Sequence, residues 1–228
     1  MQLIAASYGL DVIGGDTDSL FLQTNNGKDL TKFISECKEK LKVELEHDKT
    51  FTKAIFTKKK HYLGVTDKGD IVIKGMEGKK NDRPLWINTV FNQFVKDILT
   101  DADPLANLTN SIKQLEEGKV SINDLKISVR LSKDPDQYSV NNAQKKIGQM
   151  LQLKKDDVIY YFKSDNKDGI TLDSNEISIK KYKVLLWNSV KDILEVAGYD
   201  VAMIEKGLFT DNRNKTSNIQ SLPEVANM

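Results

Sequence analysis

Gly15-Asp16-Thr17-Asp18-Ser19 sets two carboxylates one residue apart between short apolar runs, Asp11–Ile13 before it and Leu20–Leu22 after it. Two such runs, separated by Gly, Asp, Thr and Ser, predict a β-hairpin with the carboxylates at its tip. Extended backbone sends side chains i and i+2 to the same side, so Asp16 and Asp18 would face one way. Paired carboxylates are hard oxygen ligands for Mg2+. With a third supplied from elsewhere they hold two ions for in-line phosphoryl transfer. A bare Asp-x-Asp also has a plainer reading, because Asp is common in turns for conformational reasons.

Outward from the hairpin, Asn25-Asn26-Gly27 breaks the chain. From Asp29, a candidate N-cap, Leu30, Phe33, Ile34, Cys37, Leu41 and Leu45 recur at helical spacing. Cys37 lies on that stripe and is read as core. Phe51–Thr57, Tyr62–Thr66 and Asp70–Met76 read as strands, the last two joined by an Asp67-Lys68-Gly69 turn. After Arg83 the register changes. Pro84 opens a helix with Leu85, Ile87, Val90, Phe91, Phe94, Val95 and Ile98 on one face, and Leu105–Glu117 follows as a second helix closed by Gly118. Strands are expected at Leu125–Leu131 and Val158–Phe162, with helices at Asn142–Leu151 and Tyr182–Ala197 and a polar tail after Asp211. The expected class is α+β: partial sheet structure in 1–82, and a mainly helical part with a small β element in 83–228.

Composition excludes several function classes. The chain has 228 residues and a formal net charge of +1, so it is not a basic DNA wrapper as a whole. No run approaches the roughly 20 apolar residues of a membrane span, and the N-terminus lacks the basic and apolar regions of a signal peptide. One cysteine precludes an internal disulfide and fits a reducing cytoplasm, the expected location. With two histidines it cannot furnish a zinc cluster at the usual spacing. Charge is unevenly spread: from Lys53 to Arg83 nine basic residues stand against four acidic ones, a local charge of +5 suited to meeting phosphates.

Haloacid-dehalogenase-type phosphatases also place Asp-x-Asp after a strand. They want Thr or Val two residues past the second Asp, where this chain has Leu20, and they lead into an α/β unit and not a returning strand. Asp16-Thr17-Asp18-Ser19-Leu20-Phe21 instead resembles motif C of family B DNA polymerases. Lys59-Lys60-His61-Tyr62-Leu63-Gly64 is similar to that family's Lys-Lys-Arg-Tyr segment. Lys74-Gly75-Met76-Glu77, with Lys79-Lys80-Asn81 after it, is similar to the Lys-Gly-x-Glu stretch and its basic pair. Val129-Arg130-Leu131-Ser132-Lys133-Asp134-Pro135-Asp136-Gln137-Tyr138 resembles a thumb segment, and Glu195-Val196-Ala197-Gly198-Tyr199 the end of archaeal thumbs. The matches run in family order over about residues 9–200.

The resemblance implies that 1–82 is the motif C part of a polymerase palm and 83–228 a thumb. It implies Asp18 as the principal Mg2+ ligand, with Asp16 assisting. Lys60 and Tyr62 would face the minor groove and primer end of nascent duplex, while Lys59, Lys74, Lys79 and Lys80 meet backbone phosphates. Cations without base preference suit an enzyme that must copy every sequence. Two positions depart from the pattern: Gly14 stands where the family often has Tyr, and His61 replaces an arginine. No motif A, no Lys-x3-Asn-Ser-x-Tyr-Gly fingers helix and no exonuclease carboxylates are present. The implied partners are therefore primer–template DNA, deoxynucleoside triphosphates and a larger chain carrying motif A, fingers and exonuclease. A sliding clamp is a further candidate, although Gln220-Ser221-Leu222-Pro223 lacks the aromatics of a clamp-binding motif. The alternative is a non-catalytic duplex-binding or assembly subunit. Intact Asp16 and Asp18 argue against it, since duplex binding has no use for carboxylates near phosphates.

Overall fold

The computed structural model describes residues 1–15, 19–24, 28–76, 78 and 82–209, the side chains of residues 28 and 29 excepted. Three antiparallel sheets alternate with helices. A helix α1 (Gln2–Ser7) precedes the hairpin β1 (Asp11–Gly15) and β2 (Leu20–Gln23), and α2 (Lys28–Leu41) follows it. A three-stranded meander comes next: β3 (Phe51–Lys58), β4 (His61–Thr66) and β5 (Ile71–Lys74). The remainder is mostly helical, with α3 (Leu85–Leu99), α4 (Pro104–Glu116) and the short α5 (Ile122–Leu125). The small sheet β6 (Ile127–Arg130), β7 (Val158–Lys163) and β8 (Ile170–Thr171) encloses α6 (Ala143–Met150) in sequence. Helices α7 (Ile179–Val196) and α8 (Val201–Phe209) close the described chain. The expected α+β architecture, antiparallel sheets followed by a mainly helical region, is what the structure has.

Local chemistry fixes the helix ends. Asp103 caps α4 by accepting hydrogen bonds from the backbone N–H groups of Leu105 (2.9 Å) and Ala106 (3.3 Å), with Pro104 at the first helical position. Gly118 and Gly198 close α4 and α7 at φ 68° and 89°. In each case the next residue's N–H reaches back to a carbonyl of the last turn: Lys119 to Gln114 and Tyr199 to Leu194. The 29–45 stripe ends sooner than its apolar spacing predicts. Helix α2 stops at Leu41 and Lys42 turns to φ 57°, so Leu45 packs on the same small core from an extended segment. Leu125 likewise ends α5 instead of starting a strand.

The main core runs through both halves of the chain. Ile87, Phe91, Phe94, Val95 and Ile98 of α3 meet Leu108 and Leu115 of α4, and Leu186, Val190 and Leu194 of α7. Leu63 and Met76 from the meander join them, with Ile55, Val65 and Ile73 packed alongside. A second core forms under the small sheet from Ile127, Leu131, Ile147, Ile159 and Tyr161. A third lies at the N-terminal end, where Ala5, Leu10, Phe33 and Cys37 are buried between α1, α2 and the hairpin. Burial raises the Cys37 thiol pKa, which leaves the side chain in the packing role its spacing predicts.

Candidate nucleic-acid interface

The meander has two unlike faces. Directly paired residues of antiparallel strands project to the same side, so register assigns the rows. Ile55, Leu63 and Ile73 pair across β3, β4 and β5 and turn into the main core. The neighbouring row, Phe56, Tyr62 and Lys74, pairs in the same way and therefore projects from the opposite face. Tyr62 stacks on Phe56 at a centroid distance of 5.6 Å and meets Phe51 edge-on at 6.1 Å. Gly64 is what lets Phe51 lie across the sheet: a Cβ there would come within 2.7 Å of the Phe51 ring.

The hairpin is seated on this outer face. Phe21 of β2 packs edge-on against Phe56 (4.9 Å) and Tyr62 (5.0 Å). The hairpin's own register pairs Gly15 with Leu20 and Gly14 with Phe21, with Ile13 bulged out. Asp16 and Asp18 belong to the connection between Gly15 and Leu20 and lie outside the described residues, as do Lys79 and Lys80. Four of the eight predicted site residues are thus described: Lys59, Lys60, Tyr62 and Lys74. The structure brings these four to one end of the meander.

Glycine geometry draws them together. Lys59 and Lys60 form the turn between β3 and β4, with Lys60 in the left-handed region at φ 65°. Gly75, just past Lys74, also has positive φ (67°), and a Cβ on it would come within 2.4 Å of the Lys60 carbonyl oxygen and 3.1 Å of the His61 ring. The strand end bearing Lys74 is therefore tucked under the lysine turn. His61 stays local, its Nδ1–H donating to the Lys59 carbonyl at 2.8 Å, which braces the turn. Further along, Gly78 lies against the Phe91 ring of α3, where a Cβ would come within 2.3 Å.

The +5 count overstates the charge this surface offers. Lys53 is bound to the Ile98 carbonyl (2.8 Å) and to Asp101, and Lys58 pairs with Asp192 of α7 at 2.7 Å. Both carboxylates lie outside the 53–83 window, so sequence counting could not subtract them. Lys59, Lys60 and Lys74 are solvent-exposed. Phe21 lies within the motif C stretch, yet its anchoring role shows only once β2 is seated on the meander. Its partner Phe56 was legible as the outward neighbour of Ile55 on an alternating strand.

The family described as DNA polymerase family B matches residues 2–189. The chain belongs to that family. Among curated relatives, DNA polymerase 1 of Aeropyrum pernix is 34% identical over 178 residues, covering 71% of this chain and 19% of its own length. DNA polymerase 1 of Saccharolobus solfataricus is 32% identical over 221 residues, 85% of this chain and 24% of its own. The DNA polymerase of Archaeoglobus fulgidus is 29% identical over 220 residues, 92% of this chain and 28% of its own. The chain is thus an archaeal-type family B homologue that spans 19–28% of the length of these relatives. In fold it is similar to the solved family B DNA polymerase of Pyrobaculum calidifontis, with a TM-score of 0.60 at 21% identity over 85% of this chain and 27% of that one. No helix among the described residues is long and apolar enough to cross a membrane.

Proposed function

We propose that this chain carries the motif C and thumb portion of a family B DNA polymerase. On this reading it gives Asp16, Asp18 and a duplex grip to nucleotidyl transfer, and residues 1–228 are inactive without the polymerase parts that bear motif A, fingers and exonuclease. Residues 1–82 act as the palm part and 83–228 as the thumb. The observation that carries the reading is the seat of Phe21. Three residues past Asp18, it packs on Phe56 and Tyr62 of the face whose next strand bears Lys74. A hairpin that delivers carboxylates to a primer end has to be fixed to the surface that holds the primer, and the packing of Phe21 on the face of Phe56 and Tyr62 supports such a placement.

Among the described residues no three His, Cys, Asp or Glu side chains gather into a metal-binding group. Asp16 and Asp18 are two hard carboxylates, the donor type that Mg2+ takes, and they form a partial set that a further carboxylate from the partner completes. Bound there, Mg2+ would activate the primer hydroxyl and neutralise the leaving pyrophosphate. The rest falls to the chain's own groups. Lys59, Lys74, Lys79 and Lys80 hold backbone phosphates without regard to sequence, and Lys60 with Tyr62 lies along the minor groove and aligns the primer end.

Reconstitution tests the reading. The chain alone should not extend a primer with Mg2+ and deoxynucleoside triphosphates. Mixed with a polypeptide that carries motif A, fingers and exonuclease it should, and Asp18→Ala should abolish extension while assembly persists, with Asp16→Ala less severe. Normal extension by the assembled Asp18→Ala variant would show that motif C had been misread. Duplex binding with no gain of extension on assembly would favour a non-catalytic DNA-binding subunit.

A further inference from the structure

The aromatic rings on the outer face of the meander form a closed cluster. Tyr62 stacks on Phe56 at 5.6 Å, and Phe21 meets Phe56 at 4.9 Å and Tyr62 at 5.0 Å, so each of these three rings touches the other two. Phe51 braces Tyr62 from a further side at 6.1 Å. None of these rings belongs to the main core, the core under the small sheet or the N-terminal core, and each keeps part of its surface in water. Burial for global stability is therefore a weak account of the cluster. Ring pairs at such spacings favour definite angles, here 69° and 65° for the edge-on contacts of Phe21 and 30° for the stack, and so fix relative position.

The three mutually touching rings come from two separately packed parts. On β2, Leu20 and Leu22 pack with the N-terminal core, while Phe21, of opposite parity, crosses to the meander. Phe56 and Tyr62 are register partners on β3 and β4, and the register shifts just past Phe56, where the strand enters the Lys59-Lys60 turn. Phe56 thus meets the hairpin on one side and the site's own aromatic on the other.

We propose that Phe56 is a positioning residue for nucleotidyl transfer: wedged between Phe21 and Tyr62, its ring sets the spacing between the motif C carboxylates and the primer end. The proposal rests on the polymerase reading above. Phe56 acts through its two neighbours and touches neither metal nor primer. Asp18 lies three residues before Phe21 in sequence, so a shift of Phe21 is passed to the connection that bears the carboxylates. Lys59, Lys60 and Lys74 hold the duplex by charge and do not need the ring. Removing the ring should therefore leave the duplex bound with its primer end out of place, and transfer falls steeply with such a displacement.

The test separates position from grip. Phe56→Leu keeps an apolar side chain and removes the ring, and Phe56→Tyr keeps the ring. Each variant of the full chain is assembled with a polypeptide that carries motif A, fingers and exonuclease. Extension rate at saturating primer–template and deoxynucleoside triphosphates is then measured beside duplex affinity. Phe56→Leu should slow saturated extension by about tenfold to a hundredfold, with duplex affinity within about twofold of wild type and an unchanged salt slope. Phe56→Tyr should restore most of the rate. Phe21→Leu/Phe56→Leu should be no slower than Phe56→Leu, because both act through one contact. Hydrogen exchange on the chain alone adds a readout that needs no catalysis: duplex should slow exchange in β2 of wild type and not of Phe56→Leu. A wild-type saturated rate in Phe56→Leu, or a fall matched by an equal loss of duplex affinity, overturns the positioning role and leaves the polymerase reading standing. If the assembled wild type extends no primer, the polymerase reading falls and the exchange comparison decides. Protection of β2 by duplex that depends on Phe56 then keeps the coupling, and β2 exchange alike in both chains ends it.

Discussion

At the scale of single residues, Gly75 and Tyr182 each turn on one or two contacts. Gly75 combines positive φ with an approach that leaves no room for a methyl group beside the Lys60 carbonyl. Gly75→Ala should therefore cost about 1–3 kcal/mol, from left-handed strain and overpacking together, and should weaken duplex binding by displacing the lysine turn. Thermal unfolding alongside a binding titration checks both effects; wild-type values in each would show that the approach is not constraining. Tyr182 is the hidden joint of the helical half: fully buried, it donates to the Leu125 carbonyl at 2.6 Å and accepts from the Lys163 N–H at 3.2 Å. Tyr182→Phe orphans both groups and should lose about 1–3 kcal/mol. Burial also pushes the Tyr182 phenol up to about 12. An acid whose neutral form is favoured by folding keeps its full contribution below the unfolded value near 10, and loses it as pH rises from there towards 12. The difference between wild type and Tyr182→Phe should shrink across that window. A difference independent of pH would mean that the phenol ionises as readily in the folded chain as in the unfolded one. Lys59 and Lys60 make the simplest case: charge reversal at both should weaken duplex binding equally for all sequences, and sequence-selective loss would count against phosphate contact.

The elements show why some of this could be read from sequence. The meander, α3, α4 and α7 follow from strong periodicity bounded by Gly and Pro, because burial of one face is a repeating constraint that leaves a repeating trace. The α1 helix has six residues and α8 nine. Both are too short for periodicity alone to mark them, and each is held by packing on its neighbours, α1 on β1 and α2, and α8 on α7. The early stop of α2 at Leu41 was hidden for a related reason, since Leu45 reaches the same core without being helical. In the candidate site, the lysines and Tyr62 were legible through their motifs, and register put them at one end of one sheet. The salt bridges of Lys53 and Lys58 were not legible, because Asp101 and Asp192 are supplied by the packing of α3 and α7 on the meander. This difference is measurable. Lys53→Gln and Lys58→Gln should leave the salt slope of duplex binding unchanged and alter stability by no more than about 1 kcal/mol each, as exposed pairs do. A slope that flattened as much as with Lys59 would return both residues to the DNA surface.

Across the whole molecule, stability should follow the cores and not the sequence midpoint. The meander shares its interior with α3, α4 and α7, so residues 51–76 unfold only if the large core opens. The N-terminal segment is different. Its core has four buried residues, Ala5, Leu10, Phe33 and Cys37, and its hairpin is a two-stranded sheet. Two strands alone are marginal in water, and a sheet of two has an unpaired edge on each side. Met1, Leu3 and Ile13 add exposed apolar surface next to one of them. Hydrogen exchange on the isolated chain should therefore show α1, β1, β2 and α2 exchanging at least about tenfold faster than β4, α3 and α7. Addition of a polypeptide carrying motif A should slow exchange in β1 and β2 most, because a strand paired to the hairpin would occupy its open N–H groups. The Phe21 contact gives a control within the same measurement. Phe21→Ala should loosen β2 without touching the large core, so exchange in β2 would rise while α3 and α7 stay as they were. Uniform protection from β1 to α7 in the chain alone would mean that the N-terminal segment is self-sufficient, and the expected pairing of the hairpin with a motif A strand would lose its structural reason.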